Sequence, residues 1–159
     1  MIRSSNGRRT TVLAGLALAA ATLVAAPGHA RADVTADCEL LEISAKAGDK
    51  PAIDAELKPL EKKLKKPPLS TWSQFTLLSR SQKSLHKKKP ESISLKIGSA
   101  TATLVEIVDK SKVRLTVTID DAKGKHVVDN TTTAEAGDWV IVVHELAGNE
   151  GHLLAATCK

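Results

Sequence analysis

Histidine, cysteine, lysine and carboxylate are the side chains through which this chain could act on a ligand, and their spacing narrows the choices. His144 and His152 bracket a short stretch that also holds Glu145 and Glu150. If that stretch closes symmetrically into a hairpin, the two imidazoles come opposite each other at its mouth. Two imidazoles and a carboxylate are adequate zinc or copper ligands. The sequence identifies no third fixed ligand, so no metal is assigned; the alternative is two half-exposed polar residues marking strand ends. The zinc-protease spacing is missing, because His144-Glu145 continues as Leu146-Ala147-Gly148 without a second histidine in place. Gly-x-Ser-x-Gly and a glycine-rich phosphate loop are also missing, and Cys38 and Cys158 are lost as nucleophiles if they pair. No catalytic residue is assigned and no cofactor is expected.

Lysine is the other candidate chemistry. From Lys58 to Lys89 there are ten basic residues and one acid, Glu61, whereas residues 91–159 hold ten acids and seven bases. Lys58, Lys62, Lys63, Lys65, Lys66, Lys87, Lys88 and Lys89 form the candidate anion-binding set, suited to lipopolysaccharide, an acidic polysaccharide or another anionic envelope polymer, or to nucleic acid debris outside the cell. The competing reading is a solvated helix face and a lysine-rich turn that keeps a sheet edge from aggregating. Lysine outnumbers arginine here, and no aromatic ladder accompanies it. Specific nucleic-acid recognition is therefore not expected.

Several elements must position these groups. Residues 1–32 read as an export signal: Arg3, Arg8 and Arg9 precede an apolar core, Val12 to Ala26, that is short for a bilayer span. Pro27-Gly28 breaks it, and Ala30-Arg31-Ala32 offers a small-x-small cleavage pattern. An exported chain, periplasmic or extracellular and not membrane-spanning after cleavage, is the expectation. The charge argument then changes. Of 23 basic residues, four (Arg3, Arg8, Arg9, Arg31) leave with the signal, so 19 face 18 acids in residues 33–159. The overall balance does not point to nucleic acid; the local segregation of lysine is what stands out.

Residues 33–159 are enough for a single domain with a real core, which must be aliphatic because Trp72, Phe75 and Trp139 are its only aromatics. Cys38 and Cys158 are most simply a disulfide stapling the first strand to the last, and two buried free thiols are the alternative. Ile53, Leu57, Leu60 and Leu64 make one helical stripe, with Asp54 as candidate N-cap; Pro59 places the start of regular helix near Leu57, and Lys66-Pro67-Pro68 stops it. Strands are expected at Cys38–Ala45, Gln74–Ser79, a short Lys83–Lys87, Ser92–Ile97, Ala102–Val108, Lys112–Asp120, His126–Thr133 and Trp139–Val143. Glu145–Gly151 is read as the last loop, with a final strand ending at Cys158. In Lys112–Asp120, Val113, Leu115, Val117 and Ile119 should face inward. The fold expected is mainly β: an antiparallel β-sandwich or barrel-like domain, disulfide-stapled, with one short N-terminal basic helix.

The run Lys58-Pro59-Leu60-Glu61-Lys62-Lys63-Leu64-Lys65-Lys66-Pro67-Pro68, followed by Phe75-Thr76-Leu77-Leu78, resembles a group of short secreted proteins of unknown function from myxobacteria and their relatives. Those share a leucine-striped basic helix, a Lys/Arg-Pro-Pro stop and a Phe-x-Leu-Leu strand; Trp72 departs from them where a smaller polar residue or a tyrosine is expected. The resemblance implies an exported β-rich domain and no activity. The function expected is an exported, non-catalytic binding or accessory protein at the cell envelope. The alternatives are a protein-interaction subunit of a secreted assembly, docking through a sheet edge, and a metal-binding protein or enzyme using His144 and His152.

Overall fold

The computed structural model describes residues 33–159; the expected export signal, residues 1–32, lies outside the described residues. The strands are β1 (Thr35–Lys46), β2 (Ala52–Ile53), β3 (Gln74–His86), β4 (Pro90–Ser94), β5 (Ser99–Asp109), β6 (Lys112–Asp120), β7 (His126–Glu135), β8 (Val140–Leu146) and β9 (Glu150–Cys158). They form two sheets, ordered β2-β3-β1-β9-β8 and β4-β5-β6-β7. Every pairing between these strands is antiparallel except β2 with β3. The expected mainly β, antiparallel sandwich is the fold found.

Alternation of side chains explains how the larger sheet buries both faces. In β1, Ala36, Cys38 and Leu40 point toward the second sheet and join Ile93, Ala100, Leu104, Leu115 and Ile119 in the core between the sheets. Leu41, Ile43 and Ala45 point the other way, under a helical cover. The interior strand β9 is buried from Gly151 to Cys158. Its composition fits: Leu153, Leu154, Ala155 and Ala156 form a near-continuous apolar run, as expected of a strand covered on both faces. In β6 the inward residues are Val113, Leu115, Val117 and Ile119, all buried as the alternation predicts.

The disulfide joins Cys38 to Cys158 across directly opposed positions of β1 and β9, 120 residues apart in sequence. It lies in the core between the sheets and staples the first long strand to the last.

The helical cover departs from the regular helix expected. A 3-10 helix, Ala55–Leu60, contains Pro59 and passes into α1 (Glu61–Leu64); a further 3-10 turn spans Leu69–Thr71. Pro59 has no N–H to donate to a carbonyl four residues back, so the tighter form runs through it. The apolar stripe still does its packing: Leu57, Leu60 and Leu64 are fully buried against the sheet, each worth about 1.5–3 kcal/mol of burial. Asp54 precedes the helix but does not cap it. Its Oδ2 instead accepts the Leu77 N–H at 2.8 Å, tying the cover to β3.

Strand boundaries also differ: the strand expected over Ser92–Ile97 ends at Ser94, and Lys96 and Ile97 lie in the turn that follows. Gln74–Ser79 and Lys83–Lys87 are one strand, because β1 continues beside it and a bulge opposite Glu42/Ile43 absorbs one extra residue. The last loop is shorter than Glu145–Gly151: Leu146 pairs with Glu150, and Gly148 and Asn149 take left-handed backbone conformations in the turn. Trp72 braces that hairpin. Its Nε1–H donates to the Asn149 carbonyl at 3.0 Å, and its ring lies so close to Gly151 that a Cβ there would sit 2.8 Å from it.

Candidate functional site

The candidate lysines are distributed by the cover and by one corner of the sandwich. Because Leu57, Leu60 and Leu64 face the sheet, Lys58, Lys62 and Lys66 project outward and are exposed. None of these three has a carboxylate within 4.0 Å among the described residues. Lys63 is engaged: its ammonium donates to Asp138 Oδ2 at 2.8 Å and to the Trp139 carbonyl at 2.6 Å. Lys65 pairs with Glu61 one turn back. That hydrogen bond, with the Lys65 and Lys58 charges, holds the Glu61 carboxyl below its ordinary range. Lys63 does the same for Asp138.

Lys87, Lys88 and Lys89 are exposed at the corner between β3 and β4. Their backbone is structural: Lys87 N–H donates to Val34, and Lys88, at positive φ, donates to Leu104 at 2.7 Å. Lys89 lies 3.5 Å from Glu91. The corner follows His86, whereas the cover packs over Leu41–Ala45, opposite Arg80–Phe75 of β3. At about 3.3 Å per residue the two groups are on the order of 25 Å apart. The sequence grouped eight lysines; the fold makes a cover set and a corner set.

The hairpin register places His144 directly opposite His152. The imidazoles nonetheless differ in surroundings. His144 is half-buried, while His152 is fully buried with its Nε2 2.9 Å from Glu42 Oε1. Glu150 is paired with Lys46 at 3.0 Å. Among the described residues no group of three histidine, cysteine or acidic side chains is arranged to hold a metal.

Glu42 is the group that sequence reading passed over. Its buried carboxylate accepts the Ser79 hydroxyl at 2.6 Å, the Lys96 N–H at 2.7 Å and the Ile97 N–H at 2.9 Å, besides facing His152. Burial is the largest single influence and pushes its pKa up; the bonds from Lys96, Ser79, Ile97 and His152 together outweigh it and hold the carboxyl below its ordinary value. Lys96 and Ile97 belong to the turn between β4 and β5, so Glu42 of one sheet grips a turn of the other. The order of groups matters chemically. The serine hydroxyl meets the carboxylate and not the imidazole, so these three residues do not form the serine–histidine relay of acyl transfer. The arrangement is a clamp. One signal was available: Glu42 interrupts Leu40-Leu41 and Ile43 in a strand buried on both faces, where an ionised group needs partners.

Among the described residues no helix is long and apolar enough to cross a membrane. The fold is thus a disulfide-stapled β-sandwich bearing a lysine-studded helical cover. No protein-family model, curated protein or solved structure matches the chain.

Proposed function

We propose that this is an exported, non-catalytic binding protein of the cell envelope, and that it engages anionic polymers through the helical cover. The observation that carries the reading is the exposure of Lys58, Lys62 and Lys66 with no carboxylate within 4.0 Å among the described residues, on a segment fixed from beneath by three buried leucines. A flexible lysine tail loses conformational freedom on binding; a pinned ridge loses less. The corner lysines, Lys87, Lys88 and Lys89, add a second positive point for a long ligand. The test is retention on immobilised dextran sulfate or alginate. Lys58→Gln, Lys62→Gln and Lys66→Gln together should elute at lower salt and flatten the salt dependence, with the corner triple variant affected less. Unchanged retention of the cover variant would end this reading.

A second reading, docking through a sheet edge, is favoured by β3. Its outer side is paired by β2 only at Gln74 and Phe75, and Leu77 is then taken by Asp54. A protein strand could add along the remainder. Concentration-dependent assembly without affinity for anionic polymers would support that alternative.

A further inference from the structure

The helical cover protects only part of the outer face of the larger sheet. Beyond it, toward the disulfide end, an open cleft of about 380 Å³ runs across β3, β1 and β9. Its floor follows from register: Glu39 lies between Gln82 and Thr157, and Asp37 lies opposite Ser84. Lys159 closes the far side. Asp37 already accepts the Ser84 hydroxyl, and Glu39 is held from the rim by Arg80 at 3.4 Å.

Three features define what such a cleft would take. First, its two carboxylates are already engaged, Asp37 by the Ser84 hydroxyl and Glu39 by Arg80. A strongly ionic ligand gains little there. Second, Thr157 in its floor is 7% exposed, and its hydroxyl is the one buried side-chain polar atom among the described residues without a hydrogen-bond partner. A buried hydroxyl in that state gains from any ligand group that can donate or accept. Third, Trp139 packs on this same face, half-buried, one position before Val140, which pairs with Ala156. Continuing that register sets Trp139 level with Thr157, at the β8 border of the cleft and outside its lining. Carboxylates, an amide and hydroxyls that donate and accept in a row, beside a flat apolar ring, match a ligand with hydroxyls on its edges and C–H groups on its faces.

We infer that this cleft is a binding site for a neutral oligosaccharide, distinct from the lysine cover. The sugar lies across the three strands, its hydroxyls shared among Asp37, Glu39, Gln82 and Thr157, with one face against Trp139. Glu39, the neighbour of Thr157 in register, is the side chain that turns aside to admit it.

Titration of the full protein with neutral oligosaccharides of glucose, mannose, galactose and N-acetylglucosamine, followed by tryptophan fluorescence and calorimetry, tests the site. At least one should bind, and Thr157→Val or Asp37→Asn should each weaken it about three- to tenfold. Thr157→Val is nearly isosteric and removes an unpartnered group, so its melting temperature should hold or rise, which separates lost binding from lost fold. The Lys58, Lys62, Lys66 variant should bind the neutral sugar unchanged. No binding at about 10 mM, or binding insensitive to both substitutions, would overturn the inference.

Discussion

Glu42 and His152 are 110 positions apart in the chain, yet Glu42 Oε1 and His152 Nε2 meet at 2.9 Å in the interior, with both side chains sealed from solvent. The pair closes a network that includes Ser79 and the backbone of Lys96 and Ile97. It is the polar counterpart of the apolar contact between the sheets. Its energetic sign depends on every partner being present, since a buried carboxylate with few bonds destabilises a fold.

Glu42→Gln is therefore expected to cost about 2–4 kcal/mol. The amide keeps one oxygen, so its NH2 group must face either the Lys96 or the Ile97 backbone N–H and leave that donor opposed. Urea unfolding of the variant beside the wild type checks it. An unchanged midpoint would show that the clamp contributes nothing net.

The same carboxyl predicts an acid limit. Its folded pKa lies below the ordinary value of 4.5, so its contribution is complete above that pH and is lost as pH falls through the lower folded value. Thermal melts from neutral pH downward should show stability declining below about 4.5. In Glu42→Gln that decline should be shallower, because only the exposed carboxyls remain to drive it. Parallel curves for the two proteins would contradict the assignment.

Cys38 and Cys158 close a loop of 120 residues. On chain-entropy grounds the double variant Cys38→Ser, Cys158→Ser should lose up to about 4–5 kcal/mol. Both side chains lie in the core between the sheets, so Cys→Ala in both places is the better control for polarity. If reduction leaves the denaturant midpoint where it was, the staple acts on lifetime and not on equilibrium stability.

Gly151→Ala should disturb the last hairpin. Its Cβ would stand 2.8 Å from two ring carbons of Trp72, and Trp72 also holds Asn149. A cost of about 1–3 kcal/mol and a red-shifted Trp72 fluorescence are expected. Normal stability would mean that the indole moves aside easily.

What was legible in the sequence was whatever rests on local pattern. Val113, Leu115, Val117 and Ile119 alternate cleanly, and the strand is there with those residues inward. Leu57, Leu60 and Leu64 mark the buried side of the cover, although Pro59 makes its first part 3-10. The pairing of two cysteines followed from their number. The split of the lysines was not legible, because it depends on how far the cover reaches along β3. Nor was the partner of Glu42, since Lys96 and Ile97 act through backbone N–H groups that no side-chain motif records. His152 drew attention for its spacing from His144, but the contact that fixes it lies at the other end of the domain's sequence.

The position of β9 has a consequence for how the protein is made. It is the last of the described strands to be synthesised, yet it stands inside its sheet, between β1 and β8. A ribosome adding about 5–20 residues per second needs on the order of ten seconds to travel from Cys38 to Cys158. During that interval β1 has β3 on one side only, and Cys38 has no native sulfur to meet. The nascent chain must remain uncommitted until its closing segment emerges, and then many long-range contacts form together. Such delayed closure suits a polypeptide that has to stay pliable while it is still being handled.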